Sequence, residues 1–322
     1  MYMNASIPSL GTGIKVLSPS ESIDLDLGPL ADLKGTWIGK PFDGWNVIAV
    51  PGPQVTQGFT LEVIPYEETL TFTPVVVAGN RGPVVDGVQE DQQLIGLLYE
   101  QTIKSVCTSD LCVKMGFGAG NEIHAERGIL LNITNFNSAP DPNNPSAPVT
   151  ELNIARLATV PHGNSILALG TAITGVPPDH DFFGKAFIKP STVDGSRILP
   201  GYEETQYNKQ QFADKGFNQT DPNLFLQSTL GAAQLTSLIE LKLSTKNGTG
   251  GILNIPFIQK NVDATDMHCS FWIERLRSPV VGGPDILQLQ YSQTINLVFP
   301  ATGSKQMIIW PHVTVNTLRK EK

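Results

Sequence analysis

The segment DILQLQYSQTINLVFP, near the carboxyl end of the chain, alternates apolar and polar residues over about fifteen positions. This period of two predicts a β-strand with one apolar face. At about 3.3 Å per residue such a strand would span ~50 Å, so it must bend, and long bent strands are typical of closed barrels. The apolar face comprises Leu287, Leu289, Tyr291, Ile295, Leu297 and Phe299.

Other segments show the same alternation, among them YEETLTFTP, GNEIHAERGILLNITNF and the pair ELNIARLATV and NSILALGTAITG around the turn residues PHGN. A first strand with a bend is expected in KGTWIGKPFDGWNVIAVPG. Glycine and proline total 54 residues (30 + 24), which suits many turns between short strands. We therefore predict an all-β fold, a mostly antiparallel up-and-down barrel with long insertions and one or two short helices. These helices are expected near Pro29–Leu33 and at 222–234, where Asp221 and Pro222 form a good helix start.

The length of 322 residues allows one large β domain or two ordinary domains. The proline-rich stretch NSAPDPNNPSAPVT reads as a surface loop, because strand patterns resume directly after it. We predict a single barrel domain over 1–322, with an irregular segment at 1–30 and an enlarged, insertion-bearing region at 135–265.

The formal net charge of −8 and the pI of about 5.1 argue against binding to nucleic acid or to an anionic membrane. The first residues lack the charged and apolar regions of a signal peptide, and no stretch approaches the ~20 apolar residues of a membrane span. A cytoplasmic location without a membrane span is expected.

The chain has three cysteines, Cys107, Cys112 and Cys269. The spacing in CTSDLC, with no second pair at metal-ligand spacing, argues against a zinc site. A local disulfide and two ordinary thiols both fit the spacing. Because the cysteine number is odd and no export signal is present, we expect thiols.

His312 lies in the final strand-like run, IIWPHVTVNTL, on the same face as Trp310 and Thr314. One interpretation is a half-buried histidine bonded to a neighbouring carbonyl group. The other is a neutral imidazole presented to a metal or haem iron. Pro311 removes one hydrogen-bond donor from the strand, which either stiffens the strand beside His312 or marks a sheet edge.

Arg127 shares one face of its strand with five aliphatic residues, and an unpaired charge there would be costly to bury. Arg127 therefore either extends to solvent from an outer face or meets an anion, such as a ligand carboxylate, in a cavity. His124 and Glu126 occupy the opposite face and fit either a surface or a pocket. The common catalytic signatures, among them G-x-S-x-G, the P-loop and H-E-x-x-H, are absent from the sequence.

Four motifs occur in order: GTWIG, YEE leading into a phenylalanine, IHAERGILL, and WPHVTVNTL near the carboxyl end. Together they resemble the nitrobindin-type haem-binding barrels of the fatty-acid-binding-protein-like (calycin) group, as an enlarged member similar to bacterial haem-binding, peroxidase-like proteins. The resemblance implies haem b, with His312 as the axial iron ligand and His124 on the distal or rim side. It also implies that Trp37 plugs the barrel end.

The chain departs from this family in several places. Family members are much shorter, so 135–265 must hold large insertions. GKPFDGWN replaces the usual glycine-rich continuation of the first strand, and Val315 stands where a second histidine would follow His312 by three residues. The insertions either fill the cavity or enlarge it.

Three functions remain compatible with the sequence. The first is a haem protein that acts on peroxide, nitric oxide or peroxynitrite, a peroxidase or peroxynitrite isomerase, with His124, Arg127 and His162 as distal candidates and Trp37, Trp310, Thr314 and Arg127 near the haem. The second is a non-catalytic carrier of a fatty acid or other apolar ligand, with Arg127 or Arg156 meeting its carboxylate and helix 222–234 as a lid. The third is a structural barrel with a filled interior. The sequence does not give the oligomeric state.

Overall fold

The computed structural model describes residues 14–16, 27–51, 59–75, 78–85, 88–134, 152–177, 182–186, 188–199, 201–202, 211–300 and 306–321. The strands are β1 (Ile14–Val16), β2 (Gly35–Pro51), β3 (Phe59–Pro74), β4 (Ala78–Val85), β5 (Val88–Ser105), β6 (Glu122–Thr134), β7 (Ile154–Val160), β8 (Asn164–Thr174), β9 (Ser191–Thr192), β10 (Leu235–Ser244), β11 (Gly251–Asn254), β12 (Asp263–Leu276), β13 (Ile286–Pro300) and β14 (Met307–Lys320). The helices are α1 (Asp110–Lys114), α2 (Asn223–Leu230) and α3 (Pro256–Asn261), with 3₁₀ turns at Gly28–Leu33 and Ala213–Lys215.

Ten of these strands form a closed barrel in the order β5-β3-β2-β14-β13-β12-β10-β8-β7-β6, and pairing between β5 and β6 completes the ring. All neighbouring pairs around the ring are antiparallel. Closure leaves no unpaired edge within the ring, which is how a large antiparallel sheet avoids exposed backbone groups. The predicted all-β barrel with short helices is confirmed. Its strands β7, β8 and β10 come from the region 135–265.

One end of the barrel interior is filled by the 3₁₀ turn Gly28–Leu33. Its leucines, among them Leu30 and Leu33, are fully buried in the same apolar cluster as inward-facing residues of the barrel strands. The indole nitrogen of Trp37 donates a hydrogen bond to the Leu33 carbonyl oxygen at 2.7 Å. Strand β2 bends as predicted. Its pairing with β3 shifts register between Gly39 and Gly44, where Phe42 has a positive φ of 70°.

A second apolar cluster covers the outside of the barrel. Trp45 and Val47 alternate along β2 with cavity-lining residues, so they face outward, and Trp45 stacks on Phe217 with ring centroids 4.4 Å apart. The helix predicted at 222–234 is shorter, Asn223–Leu230, and packs in this outer layer. The Gln290 side-chain amide donates to the Leu226 carbonyl oxygen at 3.1 Å, so α2 covers the outer wall and is not a lid over the interior.

Candidate functional site

The barrel contains a cavity of about 360 Å³. This volume falls within the ~300–1,000 Å³ typical of small-molecule sites. Its walls are mostly apolar and come from strands all around the ring, including Ile48, Ile64, Leu70, Phe72, Ile295 and Leu297. The interior is therefore a hollow with room for an apolar ligand, and the filled-barrel interpretation does not hold for this end of the molecule.

His312 borders the cavity from β14. Its Nε2 lies 2.8 Å from Oδ1 of Asn46, and the Thr314 hydroxyl donates to the same oxygen at 2.6 Å. Because an amide oxygen only accepts, Nε2 carries the ring hydrogen and Nδ1 carries the lone pair. Burial, with smaller contributions from the nearby His124 and His162, lowers the pKa of His312 to about 3. The imidazole is therefore neutral at physiological pH.

Two further histidines border the same cavity, His124 on β6 and His162 in the turn between β7 and β8. Their ring centroids lie 5.7 Å apart. Burial and the neighbouring His124 lower the pKa of His162. Around the ring, β6 is separated from β14 by β2, β3 and β5 on one side and by five strands on the other. The histidine pair thus borders the cavity from a different part of the wall than His312, yet close enough to it to lower its pKa.

A buried ion pair also borders the cavity. One guanidinium nitrogen of Arg156 lies 2.6 Å from Oε1 of Glu126, and their side chains are 4% and 1% exposed. The remaining Arg156 donors reach the Tyr99 hydroxyl at 2.9 Å, the Gln293 amide oxygen at 2.7 Å and Sγ of Cys269 at 3.5 Å. Glu126 also accepts a short hydrogen bond from Tyr99 and lies 3.4 Å from Nε2 of His124.

The pair holds both groups in their charged forms. Burial alone would raise the pKa of Glu126, but the Arg156 guanidinium and the hydrogen bonds from His124 and Tyr99 lower it to about 2. Burial opposes the charge of Arg156 as well, yet the Glu126 carboxylate raises its pKa well above the usual value. The cavity wall therefore carries one negative and one positive charge in direct contact.

A second buried carboxyl group, Glu68, lies on the inner face of the barrel next to the cavity. Glu68 accepts hydrogen bonds from the Tyr291 hydroxyl at 2.7 Å, the Gln101 amide at 2.7 Å and the Asn316 amide at 2.6 Å. Burial raises the pKa of Glu68, and these hydrogen bonds oppose that rise. Tyr291 and Gln101 border the cavity, so this network fixes two polar side chains of its wall.

The connection from β5 to β6 brings Phe117 to the cavity, the start of β6 brings Ile123, and α3 contributes Ile258. Cys107 and Cys112 form a disulfide within this connection, packed against Ile64 and in the same cluster as Phe117 and Ile123. The prediction of two thiols for this pair is wrong, because the turn into α1 brings the two fully buried sulfur atoms together; Cys269 is a free, buried thiol. Disulfides are typical of oxidising compartments, so this bond does not favour the cytoplasmic location that the sequence suggests.

Replacing both Cys107 and Cys112 by serine should lower the free energy of unfolding by about 2 kcal/mol, since the bond closes a short loop and restricts the unfolded chain. Urea titrations of the wild type and the double variant measure this loss. Thiol titration of the unfolded wild type checks the bond itself: one reactive thiol is expected without reductant and three after reduction. Three thiols before reduction would refute the disulfide.

The other predicted site residues lie away from the cavity. Arg127 points out of the barrel, 77% exposed, and pairs with Glu100 at 2.8 Å, so its position does not support a role beside a ligand. Trp310 is buried against Tyr202 and does not border the cavity, which argues against direct contact with a cofactor. Trp37 is fully buried beside the 3₁₀ turn and does not border the cavity either. His124, His312 and Thr314 do border it.

Sequence reasoning gave Asn46, Tyr99 and Gln293 no role, and named Arg156 only as a possible partner for a carboxylate. One signal was available for Arg156. It alternates with Ile154 and Ala158 on an apolar strand, as Arg127 does on its own strand. The side that faces inward is set by strand pairing, which the local pattern does not contain.

Within the described ranges, no group of three or more His, Cys, Asp or Glu side chains is arranged to hold a metal ion. The described residues therefore contain no site in which such side chains alone would hold a metal ion. A metal bound within an organic cofactor needs only one such side chain and is a separate case. None of the helices in this part of the chain has the length and apolar character needed to cross a membrane.

The fold and the site define the chain as a ten-stranded antiparallel β-barrel with an internal cavity lined by apolar side chains, histidines and a buried ion pair. No protein-family model matches the sequence, and no curated protein matches it significantly. Among solved structures it is similar to Rv2717c from M. tuberculosis, with 16% sequence identity and a TM-score of 0.39, over 92% of this chain and 97% of that one. A likeness at this level carries no argument about function.

Proposed function

We propose that the cavity binds haem b and that His312 is the axial ligand of its iron. The observation that carries this proposal is a neutral imidazole on the wall of a mostly apolar cavity. Its depressed pKa leaves the ring unprotonated at physiological pH, and unprotonated imidazole is the form that binds iron. The family resemblance of the WPHVTVNTL motif points to the same residue.

The residues around the cavity fit such a group. The apolar walls suit the macrocycle, and His312 keeps a lone pair for a metal. In the hydrogen-bonded arrangement that lone pair is on Nδ1, so coordination through Nε2 would replace the bond to Asn46. Before coordination, the bond to Asn46, whose side-chain oxygen also accepts from Thr314, fixes the orientation of the ring. His124 and His162 border the same cavity from a different part of its wall and are candidates for the distal face.

A bound haem would supply an iron atom that binds nitric oxide, peroxynitrite or peroxide. The contribution of this chain would be to orient the ring of His312, to exclude water with apolar walls and to orient the ring of His124 through Glu126.

A second candidate function is the non-catalytic binding of another apolar molecule in the same cavity. Two observations favour it. The cavity wall is mostly apolar, and its two charged side chains, Arg156 and Glu126, already form an ion pair with each other. Such a carrier needs no metal ligand. Its binding of the apolar molecule should therefore not depend on His312, whereas haem binding should.

Titration of the purified protein with haemin should produce a shifted Soret band at one haem per chain, and His312→Ala should abolish the shift. The physical reason is that the shift reports coordination of iron by the imidazole. Absorption spectroscopy measures both. His268→Ala is the matched control, since this histidine lies outside the cavity with a side chain that is 39% exposed, and it should leave the shift unchanged.

A Soret shift that survives His312→Ala would refute the axial role of His312. The absence of any haemin binding by the wild type would refute the haem proposal and leave the carrier as the remaining candidate.

A further inference from the structure

The charged groups of the cavity wall are arranged as one self-contained pair. Among the cavity-lining residues that the structure describes, Arg156 is the one lysine or arginine and Glu126 the one aspartate or glutamate. Both are almost completely buried and in direct contact at 2.6 Å. A buried guanidinium that borders a cavity in an apolar barrel would otherwise be a strong site for an anionic ligand.

Glu126 removes that attraction. Its carboxylate occupies one guanidinium nitrogen, while Tyr99 and Gln293 take the neighbouring donors. A carboxylate on a ligand that approached Arg156 would also approach the ionised Glu126, and water would screen the repulsion only weakly because both side chains are almost completely buried. Bringing the ligand charge into the cavity would then cost its hydration without an unpaired cation to offset the loss.

Uncharged polar groups remain available on the same wall. The amide nitrogen of Gln293 and the amide oxygen of Gln101 are not used in the hydrogen bonds described above, and both side chains border the cavity. Such amide groups can bind a hydroxyl or carbonyl group of a ligand without any charge on either side. The wall is therefore suited to a neutral polar end or to an apolar edge.

We infer that Glu126 determines the ligand specificity of the cavity: it neutralises Arg156, so that the cavity accepts ligands whose buried end is uncharged and rejects carboxylates. This deepens the proposed function and rests on it only in that the cavity must bind a ligand. It revises the sequence-based expectation that Arg156 meets a fatty-acid carboxylate. Haem that enters with its apolar edge first satisfies the same rule.

The test uses two fluorescent probes that differ only in their polar end, 1-pyrenebutanol and 1-pyrenebutyric acid, titrated at pH 7.5, where the acid is ionised. The wild type should bind the alcohol at least about tenfold more tightly than the acid. Glu126→Gln leaves Arg156 unpaired and should reverse this order, with at least about a tenfold gain for the acid. Fluorescence titration gives both dissociation constants.

Two controls keep the test decisive. The double variant Glu126→Gln with Arg156→Gln has no charge on this wall and should prefer the alcohol again, and it remains informative if Glu126→Gln alone fails to fold. Glu100→Gln breaks the outer-face ion pair with Arg127 and should keep the wild-type preference, because Glu100 is outside the barrel and 57% exposed.

Equal or tighter binding of the acid by the wild type would overturn the inference, as would an unchanged preference in a folded Glu126→Gln protein. If neither probe binds the wild type, the inference fails. The proposed function is judged separately, by haemin binding and its dependence on His312, so the two failures are distinguishable.

Discussion

Arg156→Met is expected to lower the free energy of unfolding by about 3–5 kcal/mol, the range typical when one partner of a buried ion pair is removed. The variant leaves the Glu126 carboxylate inside the barrel without the guanidinium that lowers its pKa. It also removes a donor from the Tyr99 hydroxyl and another from the Gln293 amide. Urea titration at pH 7, followed by tryptophan fluorescence, measures the loss.

The double variant Arg156→Met with Glu126→Gln should recover most of this loss, because it leaves no buried charge and methionine fills much of the arginine's volume. Arg127→Met is the matched control on the outer face. Arg127 is well exposed in its pair with Glu100, and surface pairs of this kind contribute about 0–1 kcal/mol. A loss below 1 kcal/mol for Arg156→Met, or a double variant less stable than the single one, would contradict this account of the pair.

The barrel could be predicted from the sequence because long alternation is a local property. The segments that became β6, β13 and β14 each carry the period of two, and from His124 onward the side chains of β6 alternate between the two faces of the wall as predicted. Closure followed from the length of the strands and from the need to pair their edges.

The inside and outside of the wall could not be predicted in the same way. Alternation divides a strand into two faces without saying which one is inward, so Arg127 and Arg156 looked alike in the sequence. Pairing between β6 and β7 brings Arg156 to the inner face with Glu126, thirty positions earlier in the chain, while Arg127 faces solvent. The bond between Cys107 and Cys112 also depends on a turn that spacing alone does not reveal.

Position along the chain was informative for His312 because the resemblance placed a histidine on the last strand. Its hydrogen bond to Asn46 had no local signal, since the two residues lie on β14 and β2, at opposite ends of the sequence. The candidate site thus depends on the order in which the strands pair, which brings together residues that lie far apart in the sequence.

A third buried carboxyl group, Glu274, lies outside the cavity. It is fully buried on β12 and pairs in register with the fully buried Gln288 of β13. The Gln288 amide nitrogen donates a short hydrogen bond to Oε2 of Glu274, and the second oxygens of both side chains have no donor. A proton on Glu274 would supply that donor. Burial raises the pKa of Glu274 to about 8, with the Gln288 hydrogen bond and Arg319 opposing the rise.

Glu274→Gln is therefore expected to stabilise the protein, increasingly so as the pH rises. The folded-state pKa lies above the ordinary value of 4.5, so the unfolded chain loses its proton first, and the wild type loses stability between pH 4.5 and about 8. Glutamine keeps a donor and cannot ionise. At about 1.4 kcal/mol per pKa unit, the gain should be near zero at pH 4 and on the order of 3 kcal/mol at pH 7. Urea titrations of the wild type and the variant at pH 4, 5, 6 and 7 measure it, with Glu100→Gln as the exposed control. A difference that does not change with pH would show that Glu274 is ionised in the folded protein.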